Sequence, residues 1–83
     1  MNTMTMETME TRLWTLMSEK LGLDPDQIKI TDSFADDLGV DSLDVLEMFT
    51  EIEKDFGIKI ADEDAEKLTT VKALVDYLHT HLS

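Results

Sequence analysis

The run from Ser42 to Phe56, bracketed by Asp41 and Gly57, limits the fold of this chain more than any other stretch. Asp41, Ser42 and the apolar series after them read as a helix start, with Asp41 at the N-cap and Asp44 in the first turn. Gly57 reads as the stop. Placed at steps of about 100° per residue, Val45, Met48, Phe49, Ile52 and Phe56 form one stripe, while Asp44, Glu51 and Asp55 fall on the opposite side. A helix with such a stripe must bury it against other elements. Leu43 and Leu46 lie off the stripe, on a flank that they share with Glu47 and Thr50 and that leads to Ser42.

The remaining chain supplies partners for that stripe. Met9, Leu13, Leu16, Met17 and Leu21 recur at three- and four-residue steps, predicting a helix from Met9 that Gly22 ends. Trp14 falls off the centre of this stripe, where it either covers the edge of the core or touches a partner, and the packing role is the one expected. Asp24-Pro25-Asp26 predicts a turn or short helix with Asp24 as its cap. Ile28 and Ile30 alternate too briefly for a strand and predict a loop pinned to the core. Thr31-Asp32-Ser33-Phe34 offers another cap, and Phe34 with Leu38 anchors the loop before Gly39 turns the chain into the central helix.

Past Gly57, Ile58 and Ile60 hold a second loop, and Asp62 caps a brief helix through Lys67. Thr69-Thr70 then caps a last helix with the stripe Val71, Leu74, Val75, Leu78 and Leu82. The expected fold class is all-α: a small four-helix bundle with three longer helices and one short third helix. Residues 1–8, without clear periodicity, are expected to be a flexible N-terminus, and 9–83 a single domain.

A chain of 83 residues buries only roughly 60% of its unfolded surface. Its formal net charge is −12, and the acids concentrate between residues 32 and 66, where Lys54 and Lys59 are the only bases. Such a surface disfavours nucleic acid and anionic membranes and favours basic protein partners; composition alone equally fits acids that only maintain solubility. There is no cysteine, so any thiol chemistry must come from a cofactor. No apolar run approaches membrane-spanning length and the opening residues lack a signal pattern, so a cytoplasmic protein is expected, and an acidic bundle with one modest apolar patch is expected to be a monomer.

Ser42 is the residue on which chemistry converges. At a helix N-terminus it is exposed, beside unpaired N–H groups and the positive end of the helix dipole, where an anion attached to its hydroxyl is favoured. Taken alone, such a serine is an ordinary helix-start residue. No catalytic role is expected of it: the sequence lacks a nucleophile-elbow pattern, and His79 and His81 fall on different faces of the last helix. Asp36-Asp37-Leu38-Gly39-Val40-Asp41 lacks the alternating ligands of a calcium loop, so no metal site is expected.

Leu38-Gly39-Val40-Asp41-Ser42-Leu43, followed by Asp44 and Glu47, resembles the prosthetic-group attachment motif of acyl carrier proteins. The resemblance runs from about Leu13 to Leu78 and takes in Phe34 and Ala65-Glu66-Lys67-Leu68-Thr69-Thr70-Val71. It implies that a magnesium-dependent phosphopantetheinyl transferase uses coenzyme A to place 4'-phosphopantetheine on Ser42, with Asp41 helping to present the serine. The arm then holds acyl intermediates as thioesters for fatty-acid or related biosynthetic enzymes. Leu43, Leu46, Glu47 and, more weakly, Glu53 would form the face on which acyl-transferring and chain-extending enzymes dock through basic patches. Val45, Met48, Phe49, Ile52, Ile60, Ala65, Leu68 and Leu74 would line a pocket for the acyl chain, although each also fits an ordinary core position.

Three residues depart from the family's usual fatty-acid pattern: Lys54 replaces an acid, Thr50 an apolar residue and Ala61 a proline. They point to a specialised carrier. Two alternatives remain open on the sequence: a peptidyl or polyketide carrier, and an acidic helical adaptor that binds a basic partner without a prosthetic group.

Overall fold

The computed structural model describes residues 6–82, and the side chains of 7–81. Helix α1 spans Met6–Leu21, α2 Ser42–Phe56, α3 Asp62–Lys67 and α4 Val71–Leu82. Among the described residues there is no strand, and the expected all-α arrangement of three longer helices and a short third one is what forms. Helix α1 begins three residues before the expected Met9; residues 1–5 of the expected flexible segment lie outside the described residues, as does the side chain of Leu82.

The stripes read from the sequence meet in one core. Met9, Leu13, Leu16 and Met17 of α1 pack with Met48, Phe49, Ile52 and Phe56 of α2 and with Val71, Leu74, Val75 and Leu78 of α4, all buried. Val45 is only half-buried at the stripe's N-terminal end. Arg12 near the start of α1 pairs with Asp55 near the end of α2 at 3.8 Å, and Lys20 near the end of α1 pairs with Glu51 at 3.6 Å. These pairings run in the antiparallel sense. Both are solvent-exposed, so they fix register more than they stabilise; the Arg12 guanidinium also lies 5.6 Å from the Phe56 ring centroid.

The long loop between α1 and α2 is tied down at several points. The Trp14 indole N–H donates to the Ile28 carbonyl at 2.9 Å, so Trp14 has the packing role expected of it. Pro25–Gln27 forms a 3-10 turn after Asp24, whose N–H donates to Gln27 Oε1. Ile28 is buried, but Ile30 is 43% exposed and does not pin the loop as expected. The pinning there is polar: the Lys29 N–H donates to Asp32 Oδ2. Residues 32–34 then pass antiparallel to 69–71, with the Phe34 N–H on the Thr69 carbonyl and the Val71 N–H on the Asp32 carbonyl, both at 3.0 Å. This strap joins the loop to the start of α4 and buries Phe34.

Thr70 caps α4 as expected, its hydroxyl oxygen accepting the Ala73 N–H at 3.1 Å. At α3 the cap differs: Ala61 holds the N-cap position and Asp62 opens the helix, joining Glu63 and Asp64 in an acidic first turn. The N-terminal dipole favours three acids inside that turn.

Candidate functional site

The turn that leads to Ser42 is built from residues 33–40. The N–H groups of Asp37 and Leu38 both reach the Ser33 carbonyl at 3.0 Å, and the Val40 N–H reaches the Phe34 carbonyl at 2.8 Å. Between them Gly39 takes φ +64, a left-handed conformation that glycine adopts without strain. Side chains reinforce the turn, with Ser33 N–H donating to Asp37 Oδ2 and Asp36 N–H donating to Ser33 Oγ. Buried Phe34 anchors the turn to the core.

Asp41 is extended at the N-cap of α2, and its carbonyl accepts the Val45 N–H at 3.0 Å. Its carboxylate makes no capping hydrogen bond, contrary to the expectation for an aspartate at this position. The first-turn N–H groups of α2 therefore have no acceptor from the Asp41 side chain. Ser42, the first residue of the helix, is exposed, and no contact to its hydroxyl is seen among the described residues.

Beside Ser42 an open cleft of ≈ 830 Å³ runs between α2 and α3. Phe34, Val40, Ser42, Val45, Leu46 and Phe49 form one wall, while Ala65 and Leu68 form the apolar part of the other. Asp36, Asp62, Glu63 and Glu66 stand on its lining with Ser33 and Thr69, and no basic side chain does. A smaller depression of ≈ 250 Å³ lies between α1 and α2 around the Arg12 and Lys20 ion pairs; its lining is mostly charged and does not include Ser42.

Of the eight pocket residues expected from the sequence, Val45, Phe49, Ala65 and Leu68 come together on the cleft. Met48, Ile52, Ile60 and Leu74 are buried core residues outside its lining. Met48, Ile52 and Leu74 sit on the inward stripes of their helices and Ile60 in the loop before α3, and all four point into the core instead. Phe34, Val40 and Leu46 line the cleft without having been expected there. The apolar character of Phe34 and Val40 flanking the attachment motif was the available signal, and Leu46 sits where the flank of α2 borders both the cleft and solvent.

On the outer flank, Leu43 and Leu46 are 65% and 54% exposed, and Asp44 and Glu47 are exposed beside them. The Thr50 hydroxyl donates to the Leu46 carbonyl. Glu53 departs from this group: it is half-buried, and its Oε2 accepts the Ile60 N–H at 2.7 Å, holding the α2–α3 loop. The two histidines separate as expected. His79 Nε2 lies 3.5 Å from Glu10 Oε2 on α1, an ion-pair distance without hydrogen-bond geometry. His81 stacks on Tyr77 at 4.0 Å between ring centroids.

A family model described as a phosphopantetheine attachment site matches residues 11–78, which takes in the turn, Ser42, both walls of the cleft and most of α4. The chain belongs to this phosphopantetheine-attachment family. The match agrees with the resemblance to acyl carrier proteins and with its extent. The family is one of carrier domains rather than catalytic ones; its prosthetic group is 4'-phosphopantetheine, and its members interact with modifying and biosynthetic enzymes. The residues present fit such a group: an exposed serine hydroxyl at an uncapped helix N-terminus, next to an apolar cleft. Among the described residues no helix is long and apolar enough to cross a membrane.

Proposed function

We propose that the chain is an acyl carrier protein that holds acyl intermediates on a 4'-phosphopantetheine arm attached to Ser42 and presents them to fatty-acid or related biosynthetic enzymes. One observation carries this reading: the exposed Ser42 hydroxyl stands at the mouth of the apolar α2–α3 cleft, within the stretch that the family match covers. When bound, the arm supplies a terminal thiol for thioester chemistry, which the cysteine-free chain does not have. The chain itself positions and shelters.

On the transferase, Ser42 Oγ would attack the pantetheine-side phosphorus of coenzyme A, losing its proton as the pyrophosphate P–O bond breaks and 3',5'-ADP leaves. The first turn of α2, which Asp41 does not cap, would favour the phosphodiester's negative charge. Asp41, with its carboxylate free of a capping bond, faces the transferase and helps to present the serine. Leu43 and Leu46 form the apolar centre of a docking face, and Glu47 with Asp44 forms its acidic rim, complementary to a basic patch. Val45, Phe49, Ala65 and Leu68 shelter the acyl chain, whose exposure to water costs about 0.8 kcal/mol per CH₂.

Lys54 is exposed on the same helix and Thr50 turns its hydroxyl to its own backbone, so the partner-facing surface is less acidic toward the C-terminus of α2. That favours a specialised carrier over one serving the general fatty-acid enzymes. An adaptor without a prosthetic group leaves the family match unexplained.

The test is intact mass before and after incubation with coenzyme A, Mg²⁺ and a broad-specificity phosphopantetheinyl transferase. The expected result is a gain of one phosphopantetheine in the native chain and none in Ser42→Ala. A gain that persists in Ser42→Ala, or none in the folded native chain, overturns the reading.

A further inference from the structure

Helix α3 is held differently from the other three. It spans Asp62–Lys67 and buries none of its residues, whereas Ile60 before it and Leu68 after it are buried at 6% and 7% exposure. It is a strap slung between two apolar anchors, and it forms one wall of the cleft. Between the anchors, polar ties fix its position. Glu53 Oε2 of α2 accepts the Ile60 N–H at 2.7 Å, and the Tyr77 hydroxyl of α4 donates to Asp64 Oδ2 at 3.0 Å.

Tyr77 is itself held in place. Its ring stacks on His81 and is half-buried against the core, and its carbonyl contacts His81 Nδ1 at 2.9 Å. Burial, followed by the hydrogen bond and charge of Asp64, pushes the Tyr77 hydroxyl above its ordinary pKa, while a backbone hydrogen bond at Ala61 pulls the other way. The phenol therefore stays a protonated donor at neutral pH. A local element with few buried apolar contacts opens at low cost, so one hydrogen bond to a charged acceptor is a large share of what keeps α3 closed.

We propose that Tyr77, through Asp64, is a specificity-determining residue of the carrier: it latches α3 against α4, sets how far the cleft opens beside Ser42, and so limits which acyl chains the cleft retains. The latch is a property of the bare protein. Its consequence for cargo rests on the carrier reading above.

Hydrogen exchange of the unmodified protein tests the latch, with rates corrected for intrinsic sequence effects. In Tyr77→Phe, which removes only the hydroxyl, the hydrogen-bonded amides of residues 65–68 exchange roughly tenfold faster while those of α1 and the core of α4 keep their rates. Asp64→Ala does the same, and Asp64→Asn, which keeps an acceptor but loses its charge, gives an intermediate acceleration. Native exchange across α3 in both Tyr77→Phe and Asp64→Ala overturns the latch, as does equal acceleration in all four helices, which reports global destabilisation. The cargo clause is read on the octanoyl-loaded carrier as the rate of thioester cleavage by hydroxylamine. Faster cleavage in Tyr77→Phe supports it, and unchanged cleavage overturns it. If Ser42 accepts no arm, the carrier reading fails and takes the cargo clause with it, while the exchange rates still decide the latch.

Discussion

Gly39 decides how Ser42 reaches the surface. Its φ of +64 lets the chain reverse between the Phe34 anchor and the start of α2, and a Cβ built there meets nothing within 4 Å. Any penalty for a side chain therefore comes from the backbone alone. Gly39→Ala should destabilise the fold by roughly 1–2 kcal/mol, the cost of a left-handed conformation for an L-residue, read as a lowered urea midpoint with an unchanged slope. Gly39→Asn should lose less, because its short polar side chain tolerates that conformation. Ser42 and Asp41 are governed differently. Both are exposed, and among the described residues neither side chain makes a hydrogen bond or ion pair that ties it to the fold, so their substitution bears on the attachment chemistry and leaves packing alone.

Among the elements, α2 separates packing from docking within two turns. Phe49 is 4% exposed and lies both in the core and on the cleft, so Phe49→Ala should cost about 3–5 kcal/mol of stability. Leu43 is 65% exposed, so Leu43→Ala should change stability by no more than about 0.5 kcal/mol while raising the KM for the carrier with its transferase. Denaturation curves and steady-state kinetics on the two variants check the division.

That division was legible before the structure, because helical periodicity places Phe49 on the stripe and Leu43 off it. The same periodicity marked α1, α2 and α4, with Gly22 and Gly57 as the stops of the first two and Thr70 as the cap of the last. It carried less where order comes from contacts distant in sequence. Ile30 looked like a loop anchor, but the anchoring comes from the Asp32 carboxylate and the strap along Thr69–Val71. Glu53 looked like a docking acid, but its carboxylate serves the Ile60 amide seven residues on, a pairing that only a folded turn creates. The deeper half of the expected pocket lies behind the cleft for a similar reason: a periodic stripe shows which side chains point inward, not how far in a cavity reaches.

At the scale of the molecule, charge is distributed unevenly. Arg12, Lys20 and Lys72 pair with Asp55, Glu51 and Asp76, so three of the seven Lys and Arg residues are occupied within the fold. The acids of the first turns of α2 and α3 keep no such basic partner among the described residues. With a net charge of −12, this acidic end should steer basic partners over a range that salt shortens from about 30 Å at 0.01 M to about 8 Å at 0.15 M. The kcat/KM of the transferase for this carrier should therefore fall several-fold across that range, mostly through KM. A flat salt profile would show that apolar contacts at Leu43 and Leu46 dominate encounter.

The central claim is that Ser42 and the α2–α3 cleft act as one site, the first bearing the cargo and the second sheltering it. It is tested most directly by NMR on the carrier loaded with a ¹³C-labelled octanoyl thioester. The account predicts nuclear Overhauser contacts from the octanoyl methylenes to Val45, Phe49, Ala65 and Leu68, together with slowed thioester cleavage. Methylenes that contact only solvent, or only the outer face at Leu43, would contradict it.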